Sequence, residues 1–122
     1  MSQYFLSLPH DSAEEPTMAT MDPAELEAVM ADVGAFNAAL VEAGAFVTAG
    51  GLMPPSSAVT VDGSGEQPVR TPGPFTTAEE YLGGFWIIEA DSDERAIEWT
   101  ERAATALRTR VEVRALQVPP EA

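Results

Sequence analysis

Few side chains in this sequence can do acid–base chemistry near neutral pH, and the one histidine, His10, is followed at once by Asp11. A carboxylate beside an imidazole favours its charged form and moves its pKa above about 6.5. A general base or acid near neutrality can be built this way. The competing reading is a solvated histidine in an acidic loop, because sequence neighbours seldom point at each other. His10 and Asp11 are therefore the catalytic candidates, and their place after the first strand sets them near the mouth of any cleft.

The ligand-binding candidates are Arg70, Phe75 and Trp86. Arg70 is one of six basic residues and directly precedes Thr71-Pro72-Gly73-Pro74-Phe75. A guanidinium pairs with a carboxylate in a bidentate way. Against that stands an ordinary salt bridge to an acidic surface. Phe75 and Trp86 would line an apolar pocket, or else fill core or interface. No metal site and no cofactor are expected. Asp91-Ser92-Asp93-Glu94 lacks the glycine and closing glutamate of a calcium loop and is better read as a helix cap. Gly63-Ser64-Gly65 lacks the lysine of a phosphate loop and is read as a hairpin turn. There is no cysteine, so disulfides, thiol catalysis and thiolate zinc are excluded.

Composition narrows the partners. The formal charge is -14, from 6 basic and 20 acidic residues. A nucleic-acid groove needs clustered cations, as does an anionic membrane surface, so neither partner is expected. The first residues lack a basic stretch ahead of an apolar run, so no signal peptide is expected. No run approaches the ~20 apolar residues of a membrane span. A soluble, cytoplasmic protein is the expectation. The 122 residues suit a single domain over 1–122, with 119–122 as a frayed tail.

The elements that must position these residues follow from periodicity. Tyr4 to Leu8 reads as a central strand ended by Pro9. Asp22-Pro23-Ala24-Glu25 opens a helix, with a cap acceptor, proline at the first helical position and a glutamate three after the cap. Leu26, Val29, Met30, Val33, Phe36, Leu40 and Val41 make its apolar stripe, and Gly44 is its stop. Ala45 to Thr48 reads as a strand closed by Gly50-Gly51. Ala58 to Val61 and Val69 to Thr71 form a hairpin. Thr77 to Glu80 caps a short turn. Gly83-Gly84 bends the chain into a strand over Phe85 to Glu89. Asp91 to Glu94 opens a second helix, and Val111 to Val118 closes the fold as a strand.

The order β, α, β, hairpin, β, α, β is that of an α+β, ferredoxin-like sandwich, an antiparallel sheet with two helices on one face. Phe85 to Ile88 is apolar at four successive positions, so both faces of that strand are apolar. An uncovered apolar face calls for a partner, and a two-fold copy of the chain is the usual one. A homodimer through the sheet is expected.

These residues carry a pattern. Tyr4-Phe5-Leu6, the helix Leu26 to Leu40 with Gly-Ala-Phe-Asn at 34 to 37, and Ala49-Gly50-Gly51-Leu52-Met53-Pro54 belong to it. So do Gly73-Pro74-Phe75, Tyr81-Leu82-Gly83-Gly84-Phe85-Trp86, Ala96-Ile97-Glu98-Trp99 and Val111-Glu112-Val113-Arg114. Over nearly its whole length the chain resembles the YCII-related domain, and within it the DGPF subgroup. The resemblance implies a ferredoxin-like protomer pairing into a dimeric α+β barrel. Function in the family is mostly unassigned. Some relatives carry a His-Asp pair proposed to be catalytic, and DGPF relatives are often encoded near sigma factors of the extracytoplasmic type. Pro72 stands where the subgroup has its defining aspartate, and His10 does not fall where the family histidine is expected.

Three functions remain open at this point. One is a dimeric domain holding a small organic ligand between sheet and helices. Another is a cofactor-free lyase or isomerase in which His10 moves a proton and Arg70 positions an anionic substrate. The last is a protein-interaction module linked to transcriptional regulation.

Overall fold

The computed structural model describes residues 2–10, 22–75 and 81–117. The elements in chain order are strand β1 (Ser2–His10), helix α1 (Pro23–Glu42), β2 (Phe46–Gly51), β3 (Val59–Asp62), β4 (Val69–Pro72), β5 (Tyr81–Ala90), α2 (Asp93–Leu107) and β6 (Glu112–Ala115). A single 3-10 turn, Pro55–Ser57, precedes β3. The expected short turn over Thr77 to Glu80 lies outside the described residues.

Helix α1 begins and ends where its sequence says it should. Asp22 is the N-cap, and its carboxylate accepts from the Ala24 amide at 3.2 Å. Pro23 follows at the first helical position, where a missing N–H costs nothing. At the far end Gly44 takes a φ of 73°, in the left-handed region. The Ala45 amide then reaches Leu40 and the Gly44 amide reaches Val41, at 2.9 and 3.0 Å. Those two bonds form a Schellman stop and satisfy carbonyls that the helix would leave open. In α2 the N-cap is Ser92 rather than Asp91. Its hydroxyl accepts from the Arg95 amide at 3.1 Å, and Asp93 and Glu94 supply negative charge to the first turn.

The main sheet runs β2-β5-β1-β6, antiparallel throughout. This is an α+β fold of ferredoxin-like topology, with both helices packed on one sheet face. β3 and β4 form a separate two-stranded hairpin. At its turn Asp62 accepts from the hydroxyl and the amide of Ser64, at 2.6 and 2.9 Å. Those bonds, the hydroxyl's first, hold the Asp62 pKa below its ordinary value.

β1 is central, as its composition suggests, but it continues past Leu8 to His10. The register against β5 slips between Leu8 and Pro9. A proline has no amide to give a ladder, and a bulge is where a strand tolerates one.

The glycine pairs also behave differently from the expectation. Gly50-Gly51 and Gly83-Gly84 lie inside strands, with Gly50 opposite Phe85 and Gly51 opposite Gly84. A Cβ on Gly84 would come within 3.0 Å of Leu8 Cδ1 and 3.1 Å of the Gly50 carbonyl oxygen. A Cβ on Gly50 would meet the Phe85 ring at 3.3 Å. The glycines permit close approach and seat a ring; they do not bend the chain.

β5 alternates strictly. Gly84, Trp86, Ile88 and Ala90 are buried, while Phe85, Ile87 and Glu89 are half-buried on the other face. With β1 contributing Tyr4 and Leu6, the inner face packs on Phe36 and Leu40 of α1 and on Ala96, Trp99 and Ala103 of α2. Phe36 meets both tryptophans edge-on, with ring centroids 5.1 Å from Trp86 and 6.1 Å from Trp99. Arg95 and Arg102 each stack a guanidinium on the Trp99 ring. Arg108, the C-cap of α2, bonds Asp32 in the middle of α1 at 3.1 Å.

Candidate functional site

The strand pairing fixes which side chains share the helix-free face. Phe5 stands opposite Ile87 on β5 and opposite Arg114 on β6. Ser7 stands opposite Phe85 and Glu112. Thr48 of β2 stands opposite Ile87. Side chains alternate across a strand, so Phe5, Ser7, Phe85, Ile87, Glu112 and Arg114 project to one side. Phe5 and Phe85 stack there, with centroids 5.6 Å apart and planes at 15°. The face is therefore an aromatic and aliphatic patch crossed by one charged edge.

Beside this patch is a depression of about 370 Å³. Phe5, Leu8, Pro9 and Leu82 supply apolar walls, and Ser7, Tyr81, Arg110, Glu112 and Arg114 supply polar ones. Arg114 Nε donates to Glu112 at 3.0 Å, an exposed pair. Exposed pairs of this kind hold their partners weakly, at about 0–1 kcal/mol.

A larger depression, about 620 Å³, lies between α1 and α2 and is bordered by Asp32, Phe36, Glu98, Glu101 and Arg102. Carboxylates dominate its rim, and Asp32 is already engaged by Arg108. It has no arrangement of acid, base or nucleophile that suggests chemistry.

The residues singled out from sequence fall in separate places. The backbone of His10 ends β1 and is paired with Tyr81, which lines the smaller depression. Asp11 lies outside the described residues. Arg70 is on β4, opposite Val61 in the separate hairpin. Phe75 is 85% exposed beyond that hairpin. Trp86 is 4% exposed on the inner face, and its indole N–H donates to Asn37 Oδ1 at 2.8 Å. Neither depression is lined by Arg70, Phe75 or Trp86. Among the described residues no cluster of His, Cys, Asp and Glu has the makings of a metal site. No described helix is long and apolar enough to cross a membrane.

Arg110 and Arg114 were not singled out from sequence. The available signal was parity. Glu112 and Arg114 alternate with Val113, and pairing with β1 then aligns them with Ser7 and Phe5. That alignment needs the register, which sequence alone did not supply.

One polar contact ties the sheet to α2. The Tyr4 hydroxyl donates to Asp93 Oδ1 at 2.6 Å. This bond, then burial and the nearby negative charge, raises the Tyr4 pKa above its ordinary value of 10.0. A raised folded-state value means the neutral phenol is favoured by folding. The contribution is full below pH 10, where the unfolded tyrosine titrates, and is lost as pH climbs through the folded value. Urea midpoints measured from pH 8 to 11 are expected to fall at the alkaline end, and Tyr4→Phe is expected to flatten that fall.

The YCII-related domain matches residues 5–117. An uncharacterized protein of Rhizobium meliloti (strain 1021) is 29% identical over 93 residues, covering 76% of this chain and 75% of that protein. The match takes in both helices and the whole β2-β5-β1-β6 sheet except the first three residues of β1, and on it the chain belongs to the YCII-related domain family.

Proposed function

We propose that this chain acts in the cytoplasm as a homodimer that holds a small organic ligand on the helix-free face of its sheet. The observation that carries the reading is the contrast between the two sheet faces. One is sealed by α1 and α2, while the other presents Phe5, Phe85 and Ile87. Apolar sheet faces of this kind are covered, and a copy of the same chain related by a two-fold axis covers both at once. Two sheets meeting in this way, helices outward, make a dimeric α+β barrel. The depression beside Phe5 then lies at the edge of the joint, where a second copy encloses it. Light scattering at micromolar concentration is expected to give the mass of two chains, and the mass of one would overturn the dimer. Gly73-Pro74-Phe75 with Leu82-Gly83-Gly84-Phe85 supports a place in the DGPF subgroup of the family, with Pro72 in the aspartate position.

A second reading is a cofactor-free lyase or isomerase with His10 as acid or base. It is favoured by the register that sets the His10 backbone against Tyr81 of the depression. Turnover of any substrate that persists undiminished in His10→Ala removes this reading.

A further inference from the structure

We infer that the depression beside Phe5 is a binding site for a small organic carboxylate with an apolar or aromatic body. The inference deepens the ligand-binding reading above and rests on it. Its first support is the distribution of positive charge. The chain has 6 basic residues against 20 acidic ones, and a field of that sign repels anions in general. Yet Arg110 and Arg114 both line this one depression. The other four lie elsewhere, Arg70 on β4, Arg95 and Arg102 against Trp99 on α2, and Arg108 at the C-cap of α2.

The second support is how Arg114 is held. Its partner Glu112 is two residues away on the same strand, and the side chains are 77% and 63% exposed. An incoming carboxylate trades a weak, solvent-screened contact through one nitrogen for a bidentate one. Ser7 and Tyr81 lie on the same lining. The third support is shape. Phe5, Leu8, Pro9 and Leu82 form an apolar wall contiguous with the Phe5–Phe85 stack. An apolar body with one anionic end matches this division, as pockets for small ligands usually combine apolar walls with a few placed polar groups. Inorganic anions do not use the apolar half, and neutral hydrocarbons do not use the arginines.

The test uses the whole chain, labelled with ¹⁵N, titrated with benzoate and separately with its neutral counterpart benzamide. Benzoate is expected to shift amides of Phe5, Ser7, Leu82 and Arg114 and to bind at least about tenfold more tightly than benzamide, the difference a charge-assisted pair makes. Arg114→Gln is expected to remove about tenfold of benzoate affinity and leave benzamide unchanged, with Arg114→Lys between them. Unchanged spectra for residues of α1 and α2 check that each variant keeps its fold. Equal binding of benzoate and benzamide, insensitive to Arg114→Gln, would overturn the carboxylate assignment while leaving the depression a ligand site. Absence of any shift with either probe would overturn the site itself. Shifts confined to the groove between α1 and α2 would do the same.

Discussion

Trp86→Ala is expected to lose about 3–5 kcal/mol of folding stability, the range for deleting a large buried aromatic. The size follows from where the indole sits. It is 4% exposed on the inner face of β5, edge-on to Phe36 at 5.1 Å, with its N–H given to Asn37. Removing it leaves a cavity between sheet and α1 that the remaining core cannot close, because Leu6, Leu40 and Ile88 around it are already fully buried. Small domains have about 5–15 kcal/mol in total, so the variant spends a large part of its reserve. Trp86→Phe retains most of the packing and gives up the hydrogen bond and some volume, and is expected to cost clearly less. Urea denaturation of the three proteins checks both. A loss below about 1 kcal/mol for Trp86→Ala would mean that the indole is not a core group.

Ile87→Glu, one residue along the same strand, is expected to do something different in kind. Ile87 projects from the opposite face, between Phe5 and Thr48 in register. In a single chain that face is open to water, so a glutamate there keeps its solvation and the protomer folds. In the proposed dimer joined through the sheets the substitution appears twice and buries unpaired charges. Self-association is expected to weaken by about 100-fold or more, as for disruption of an interface hot spot. Neighbouring positions 86 and 87 thus test the two faces of β5 separately: one packs the protomer's core, and the other is the face proposed to join it to its copy.

Much of this arrangement is legible in the sequence. Asp22-Pro23 and Gly44 bound α1 because caps are local chemistry, decided within a few residues of chain. The four successive apolar residues Phe85 to Ile88 announce a strand with two apolar faces, and in the structure they lie alternately on a half-buried and a buried face. The glycine pairs were misread because a glycine that relieves a bend and one that makes room for a neighbouring strand look alike in sequence. Only the pairing of Gly84 with Gly51, and the 3.0 Å approach to Leu8, tells them apart. Arg70 and Phe75 are close along the chain, but Arg70 lies on β4 and Phe75 is exposed beyond the hairpin. The strands that face each other are far apart in sequence. Phe5 meets Arg114 across 109 positions of chain (114 minus 5), a contact that no local pattern encodes. For Trp86 the sequence leaves pocket wall and core both open, for a related reason. Its parity on β5 assigns it a face, but which face the helices cover is decided by topology.

A rival surface for self-association sits on the other side of the molecule, where Ala24, Ala28, Ala31, Ala35 and Met30 leave α1 apolar and exposed. The proposed joint lies on the sheet instead. Sedimentation equilibrium of the wild-type chain, Ile87→Glu and Ala31→Glu decides between them most directly. A joint on the sheet gives dimer, monomer and dimer in that order. A dimer that survives Ile87→Glu and dissociates on Ala31→Glu would contradict it.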